Sequence, residues 1–379
     1  MIPLNSNLTP LQRSGIRVFT NLARATPGCA MLTIGEPDLD TPQAVKEAAC
    51  AAIRANRSHY APNQGTEELR RAIAEYETRR GNPTAPEQVL VTAAATHALF
   101  TAILGILNPG EEVVILTPAF SLYETITIAA GGKPVPLDIS GTGFQVDRGR
   151  LDAVISERTK AIVINSPCNP TGTVLNAGSL AAIKAAILGR PIFLICDNVY
   201  NGLSYVDCPD LSLDPELKEQ TLLCQSFSKP WAMTGWRIGY LICPDYVMDR
   251  LLLLSAAEIA SVPTFLQDAA VTALQTDTSE ARALYRRRRD YVCGRLRSMR
   301  LTFPEPEGAF YVFADIREFG MPSAEFCTRM IREAGLAAVP GSCFGTEGYI
   351  RLSYCYSDEE LKTGLDRLES FVSSLRTDA

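Results

Sequence analysis

At 379 residues, with 46% hydrophobic and 21% charged residues, the chain is too long for one ordinary hydrophobic core and has ample material for one large and one smaller domain. Lys and Arg number 36 against 42 Asp and Glu, a net charge of -6, which argues against nucleic acid as the main partner because phosphate backbones are bound by basic surfaces. The longest apolar runs, such as Leu251-Leu-Leu-Leu254, fall well short of a membrane span, and the opening MIPLNSNLTP has neither a basic start nor an apolar core, so a soluble cytoplasmic protein with no membrane partner is expected.

In chain order, Thr41-Pro42 opens a helix with proline at the favoured first position, and Thr66 caps another that runs to about residue 80. Residues 89–92 read as a strand and 96–107 as an apolar-periodic helix. After the turn Asn108-Pro-Gly110 come a strand at 112–116 and a helix at 120–130 closed by Gly131-Gly132. Further strands follow at 133–138, 161–165, 192–196, 222–225 and 238–242. Most are continuous apolar runs, as in strands buried on both faces of a largely parallel sheet. Their alternation with helices points to an α/β layer fold. From about Thr278 a long charged helix leads away, and its basic run at 286–289 reads as a solvated face. The remainder mixes strands at 311–314 and 349–353 with two helices. A large domain at 46–284 and a smaller one built from 1–45 together with 285–379 are expected, with no repeat or flexible linker.

Composition removes several chemistries. The 11 cysteines are odd in number and contain no C-x-x-C pair, which reads as thiols in a reducing compartment, not a disulfide framework or a zinc site. His59 and His97 are the only histidines, too few for a His-rich metal site or a Ser-His-Asp triad, and each reads as structural. No metal is expected. No G-x-G-x-x-G follows a strand and opens a helix, so a nicotinamide dehydrogenase is excluded.

Three stretches carry the chemistry that remains. Ser226-Phe-Ser-Lys229-Pro-Trp-Ala-Met-Thr-Gly235-Trp-Arg237 follows an apolar strand, where α/β enzymes place ligand-binding groups. A lysine near cationic neighbours can have a lowered pKa and act as a nucleophile toward carbonyls, and the hydroxyls and arginine suit a phosphate dianion. Taken alone, the stretch also fits a surface loop with an incidental lysine. Asn165-Ser-Pro167-Cys-Asn169-Pro170-Thr-Gly172 is a stiffened loop that projects Asn169 from a strand end. Asp197-Asn-Val-Tyr200 follows the next strand. There an acid can pair with a protonated ring nitrogen and the tyrosine can reach a ring oxygen, although a lone Asp in that position is more often a helix cap.

Together these stretches resemble the class I/II aminotransferases, the fold-type I family of pyridoxal-phosphate enzymes. The family's pattern is matched by Gly35-Glu-Pro-Asp38, His59-Tyr60-Ala-Pro62, Asn169-Pro-Thr-Gly172, Asp197-x-x-Tyr200, Ser226-x-Ser-Lys229, Gly235-x-Arg237, Gly308-Ala-Phe-Tyr311 and Arg351-Leu-Ser353, in order, from about Leu32 to Ser353. The resemblance implies a large domain with a mostly parallel seven-stranded sheet between helices, plus a smaller α+β domain. It implies pyridoxal 5′-phosphate as cofactor, an amino acid and a 2-oxo acid as substrates, and a homodimer with shared active sites. Lys229 would hold the cofactor covalently and, when freed, move the proton between the substrate Cα and the cofactor's C4′. Asp197 would keep the ring nitrogen protonated, and Asn169 and Tyr200 would bond the ring oxygen. Ser226, Ser228, Arg237, the Ala95 and Thr96 amides and the Thr96 hydroxyl would hold the phosphate at a helix N-terminus. Phe120 would stack on the ring; without the family context it reads as a core aromatic. Arg351 would take the substrate α-carboxylate as a bidentate pair, helped by the Gly35 amide and Asn169. Tyr60 would reach the neighbouring subunit's phosphate.

This chain departs from the family pattern in three places. It reads Ala93-Ala-Ala-Thr96 where a glycine is usual, which tightens the space for backbone approach. Asn198 stands where many members have Glu. Thr96 stands where members that prefer acidic substrates often carry a lysine. With the apolar Ile16, Val18, Leu32 and Ile34, that last change implies a donor with a neutral aromatic or aliphatic side chain, since a buried carboxylate lacking a cation is costly. Arg13 or Arg17 on the N-terminal arm could replace the missing charge and favour aspartate instead. Other readings are a β-lyase on the same scaffold, or a regulator that senses the cofactor. The regulator would need a basic DNA-binding module, and none is evident.

Overall fold

The computed structural model describes residues 2, 5–11 and 13–377. Residues 1, 3 and 4, part of the opening stretch read above for targeting signals, lie outside the described residues, as do 12, 378 and 379 of the expected smaller domain. The N-terminal arm contains helix α1 (Gly15–Arg24), which buries Phe19 and Ala23, and the short strand β1 (Ala30–Met31). Helices α2 (Gln43–Arg54) and α3 (Glu67–Arg79) follow. Pro42 is the N-cap of α2 and not its first helical residue, because its ψ of 139° keeps it extended. Thr66 caps α3 as expected, its hydroxyl accepting from the Leu69 N–H at 3.4 Å.

Strands and helices then alternate: β2 (Val89–Thr92), α4 (Ala94–Ile106), β3 (Glu112–Thr117), α5 (Leu122–Ala129), β4 (Lys133–Asp138), α6 (Arg148–Val154), β5 (Thr159–Asn165), α7 (Ala177–Ile187), β6 (Phe193–Asp197), β7 (Thr221–Ser226) and β8 (Gly239–Ile242). The seven strands form one sheet in the order β2-β8-β7-β6-β5-β3-β4, parallel except for β8, which runs antiparallel to both its neighbours. Successive strand residues point to opposite faces. Val113, Ala161, Ile195 and Leu222 therefore pack in one apolar layer, and Val114, Ile162, Leu194 and Leu223 in the other. The edge strand β4 carries Pro134 and Pro136, which an edge tolerates because there is no outer neighbour to receive their missing N–H.

Helices α8 (Asp245–Ile259), α9 (Thr264–Ala273) and α10 (Ser279–Ser298) lead to β9 (Tyr311–Asp315), α11 (Ser323–Ala334), β10 (Leu336–Ala337), β11 (Val339–Pro340), β12 (Tyr349–Ser353) and α12 (Asp358–Thr377). β12 lies between β11 and β9, all antiparallel, and β1 pairs in parallel with β10. Leu32, Tyr285, Phe310, Val312, Ile331 and Leu368 belong to the core of this part.

The basic run on α10 is only partly the solvated face expected. Arg288 is buried: Nη1 and Nη2 donate to the two Asp38 carboxylate oxygens at 2.7 and 2.8 Å, and Nε donates to Asp358 at 2.9 Å. Arg289 lies over the Tyr205 ring at 5.1 Å. Successive helical residues are rotated by about 100°, so four in a row cannot share one face. Among the described residues no helix is long and apolar enough to cross a membrane.

Candidate active site

The parallel strands end on one side of the sheet, and register sets what they present there. Asn165, the last residue of β5, pairs directly with Asp197, the last of β6. The Asn165 amide donates to the Asp197 carbonyl at 2.7 Å, and its Oδ1 accepts from the Asn169 N–H at 2.8 Å. One side chain thus ties the Asn169 loop to the neighbouring strand end. β7 ends on Ser226, and the turn after it brings Ser228 and Lys229 to the same edge.

A cavity of about 550 Å³ opens at this edge. Gly35, Ala95, Thr96, Phe120, Asn169, Asp197, Tyr200, Ser226, Ser228, Lys229, Arg237 and Arg351 all line it. These are the expected site residues with one exception, Tyr60, whose side chain stands 92% exposed on the surface of the single chain. Tyr123, Tyr311, Asn165 and Arg17 also line the cavity, and none was assigned a place in it from sequence, Arg17 having been weighed only as a substitute charge.

Asp197 is buried, and its carboxylate does not cap a helix. The Tyr123 hydroxyl donates to Oδ2 at 2.6 Å, while Oδ1 is buried with no partner. Burial pushes the Asp197 carboxyl up to about 6, a rise that the tyrosine bond, the Val199 N–H and the Lys229 charge oppose only in part. Such a group calls for a cationic N–H donor. Tyr200 shares a 2.8 Å hydrogen bond between hydroxyls with Tyr311.

The Lys229 ammonium donates to the Gly35 carbonyl at 2.6 Å. Burial lowers its pKa to about 8, with the charges of Arg351 and Arg237 adding to the effect and Cys355 and Glu36 opposing it. Desolvation thus outweighs the cationic neighbours to which the sequence pointed. Gly35 could be nothing larger, since a Cβ there would sit 1.7 Å from the Tyr311 hydroxyl oxygen.

A polar nest forms beside the lysine. The Ser226 hydroxyl donates to the Ser228 hydroxyl at 2.8 Å and accepts from the Ser228 N–H at 3.1 Å. Arg237 adopts a left-handed conformation, φ 52° and ψ 55°, and anchors through Nη1 to the Thr234 carbonyl at 2.8 Å. Helix α4 begins two residues earlier than expected, so Ala95 and Thr96 lie in its first turn, where N–H groups have no intrahelical partner.

Arg351, at the centre of β12, is 1% exposed. Its guanidinium lies over the Tyr311 and Phe344 rings at 4.5 and 4.9 Å. Nη1 donates to Asn169 Oδ1 at 2.8 Å, Nη2 donates to the Thr33 carbonyl, and Nε has no partner. A buried guanidinium held by rings and neutral acceptors, with no carboxylate, is ready for an anion.

This donor set fits pyridoxal 5′-phosphate. An unpartnered buried carboxylate oxygen suits a ring N–H, hydroxyls with a helix N-terminus and an arginine suit a phosphate, and a desolvated lysine suits an aldehyde. Tyr123 and Asn165 could not be found from sequence. The tyrosine hides in an apolar helix pattern, its one signal being that a buried hydroxyl needs a partner. Asn165 reads as the end of a strand.

Comparison with known proteins agrees with this geometry. Residues 27–368 match the family model for aminotransferase class I and II. The chain is 39% identical to a Bacillus subtilis protein named "Probable N-acetyl-LL-diaminopimelate aminotransferase", covering 98% of this chain and 96% of the relative. It is 36% identical to aromatic-amino-acid aminotransferase 2 of Thermococcus litoralis, over 97% and 98%. The solved aspartate aminotransferase from Thermus thermophilus with maleate superposes with a TM-score of 0.93 at 35% identity, over 98% of this chain and all (100%) of that one. The chain belongs to the class I and II aminotransferases, pyridoxal 5′-phosphate enzymes that move amino groups between amino acids and 2-oxo acids.

Proposed function

We propose that this aminotransferase draws its amino group from an L-amino acid with a neutral aromatic or aliphatic side chain, and that it works through Lys229 as a cytoplasmic homodimer. The convergence of Lys229, Asp197 and Arg351 on one cavity carries the reading. When bound, the cofactor supplies an electron sink for the pair left at the substrate Cα. Asp197 holds the proton on the ring nitrogen, with Tyr123 fixing the carboxylate. Asn169 and Tyr200 bond the ring oxygen, and Phe120, half-buried at the cavity wall, covers the ring. Ser226, Ser228, Arg237, the Thr96 hydroxyl and the Ala95 and Thr96 amides hold the phosphate. Arg351 binds the α-carboxylate through its fork, with Asn169 and the Gly35 amide beside it. Lys229 would hold the cofactor through its amine and, when free, would carry a proton to and from the substrate Cα. Its pKa of about 8 suits a group that must both take and return that proton near neutral pH.

Apolar side chains on the cavity wall, Ile16, Ile34, Leu99, Leu122 and Val199, support the neutral donor. One observation favours a second reading, in which aspartate is the donor: Arg17 lies on the same wall and could meet a side-chain carboxylate. The deciding comparison is kcat/KM for phenylalanine, leucine and methionine against aspartate, with one fixed 2-oxo acid. A neutral donor should win, and aspartate ahead by tenfold, about 1.4 kcal/mol in barrier, would move the assignment to Arg17. Product appearing without any second 2-oxo acid would instead mark a lyase.

Tyr60, exposed in the single chain, reaches the phosphate of the partner subunit in this proposal. The domain division at 46–284, and 1–45 with 285–379, is supported by the pairing of β1 with β10, which joins the N-terminal arm to the C-terminal part. All eleven cysteines are free, which suits a reducing compartment.

A further inference from the structure

The turn from β2 into α4 is held from within by one side chain, the Thr92 hydroxyl donating to the Ala94 carbonyl at 3.1 Å. Ala94 takes φ of +63°, a left-handed conformation that disfavours any residue with a Cβ. Ala93, the N-cap, has no side-chain atom to cap with. Both deficits lie beside the first-turn amides of Ala95 and Thr96. His97 supplies a second hold, at Ala93. Its Nδ1 accepts from the Ala93 N–H at 3.0 Å, which leaves the ring proton on Nε2, and Nε2 meets Glu258 Oε2 of α8 at 2.6 Å. The Thr101 hydroxyl donates to the same carboxylate oxygen at 2.7 Å. Burial holds the imidazole below its usual pKa, in keeping with a neutral ring that accepts at Nδ1. Neither His97 nor Glu258 lines the cavity.

We propose that His97, backed by Glu258, is a positioning residue for the cofactor phosphate: it braces the Ala93–Thr96 turn so that the Ala95 and Thr96 amides stay in place to bind it. The proposal rests on the phosphate site assigned above. It accounts for a buried histidine in an otherwise largely apolar helix, and for a left-handed turn built without glycine.

The test uses apoenzyme titrated with pyridoxal 5′-phosphate, followed by absorbance, together with the phosphorus NMR shift of the bound cofactor. His97→Leu loses both contacts and should weaken binding by about tenfold or more and move the phosphorus resonance. His97→Asn places Oδ1 where Nδ1 stands and should recover binding to within about threefold of wild type. Ile183→Ala in α7, buried far along the chain from this turn, should lower thermal stability without changing either readout. His97→Leu binding like wild type while Thr96→Val is weakened would overturn the brace and leave the phosphate site standing. Normal binding by both variants would remove the phosphate site, and the proposal with it. If His97→Leu gives no folded apoenzyme, His97→Gln replaces it. Gln keeps the reach to Glu258 without the acceptor for Ala93, so it should bind the cofactor less tightly than His97→Asn, and the reverse order would refute the brace.

Discussion

Lys229 faces a cavity yet is cut off from most of the water that would stabilise its charge, and this sets how it can react. Its pKa of about 8 lies below the ordinary lysine value, so the neutral, nucleophilic amine gains population as pH rises through 8. The rate of covalent attachment of cofactor to apoenzyme should therefore climb with pH and level off above about 8. Stopped-flow absorbance checks this, and a rate still rising tenfold per pH unit beyond 9 would mean an unshifted lysine. Arg351 makes the second residue-scale claim. Removing the guanidinium in Arg351→Ala should lower kcat/KM for every donor by roughly 3–5 kcal/mol, the scale of a broken buried charge pair. Arg351→Lys should stay well below wild type, because a point charge does not reproduce the fork. Equal kinetics for the lysine variant would place the carboxylate elsewhere. The sequence put Lys229, Asp197 and Asn169 after strands, and the three line one cavity; alone, each stretch also fitted a loop or a helix cap, and only the ordered family pattern gave them roles. Arg288 was misread because its partners, Asp38 and Asp358, lie 250 and 70 residues away.

At the scale of elements, the central strands could be read from sequence because burial on both faces leaves a continuous apolar run. Helices such as α7 escaped for the same reason. With Leu180, Ala182, Ile183, Ala186 and Ile187 all buried, little polar periodicity remains to mark a helix. Helix α4 starts two residues earlier than expected, and its first residue, Ala94, takes a left-handed conformation that sequence gives no reason to expect of alanine. That strain is testable. Ala94→Gly should stabilise the apoenzyme by about 0.5–1 kcal/mol, the relief of a left-handed Cβ less the extra entropy of an unfolded glycine. Urea denaturation measures it, and a lower midpoint with unchanged slope would show that Ala94 is not strained.

At the scale of the whole molecule, sequence order matched the chain to its family from about Leu32 to Ser353, but in the single chain Tyr60 stands exposed. A shared site gives this residue a purpose, and subunit mixing examines it. Chains carrying Tyr60→Ala and chains carrying Lys229→Ala should each be weak or dead. Exchanged into heterodimers, they rebuild one intact site, so random mixing should restore roughly a quarter of wild-type activity. No recovery after proven exchange would reject the shared site. The donor is less legible, because solved structures of an aspartate and of an aromatic aminotransferase both superpose on this chain. The claim on which everything else depends is that the cofactor is carried by Lys229. Borohydride reduction of the purified enzyme, followed by peptide mass spectrometry, tests it most directly. One pyridoxyl group per chain, on Lys229, is the expected result; a label on another lysine, or none, would contradict it.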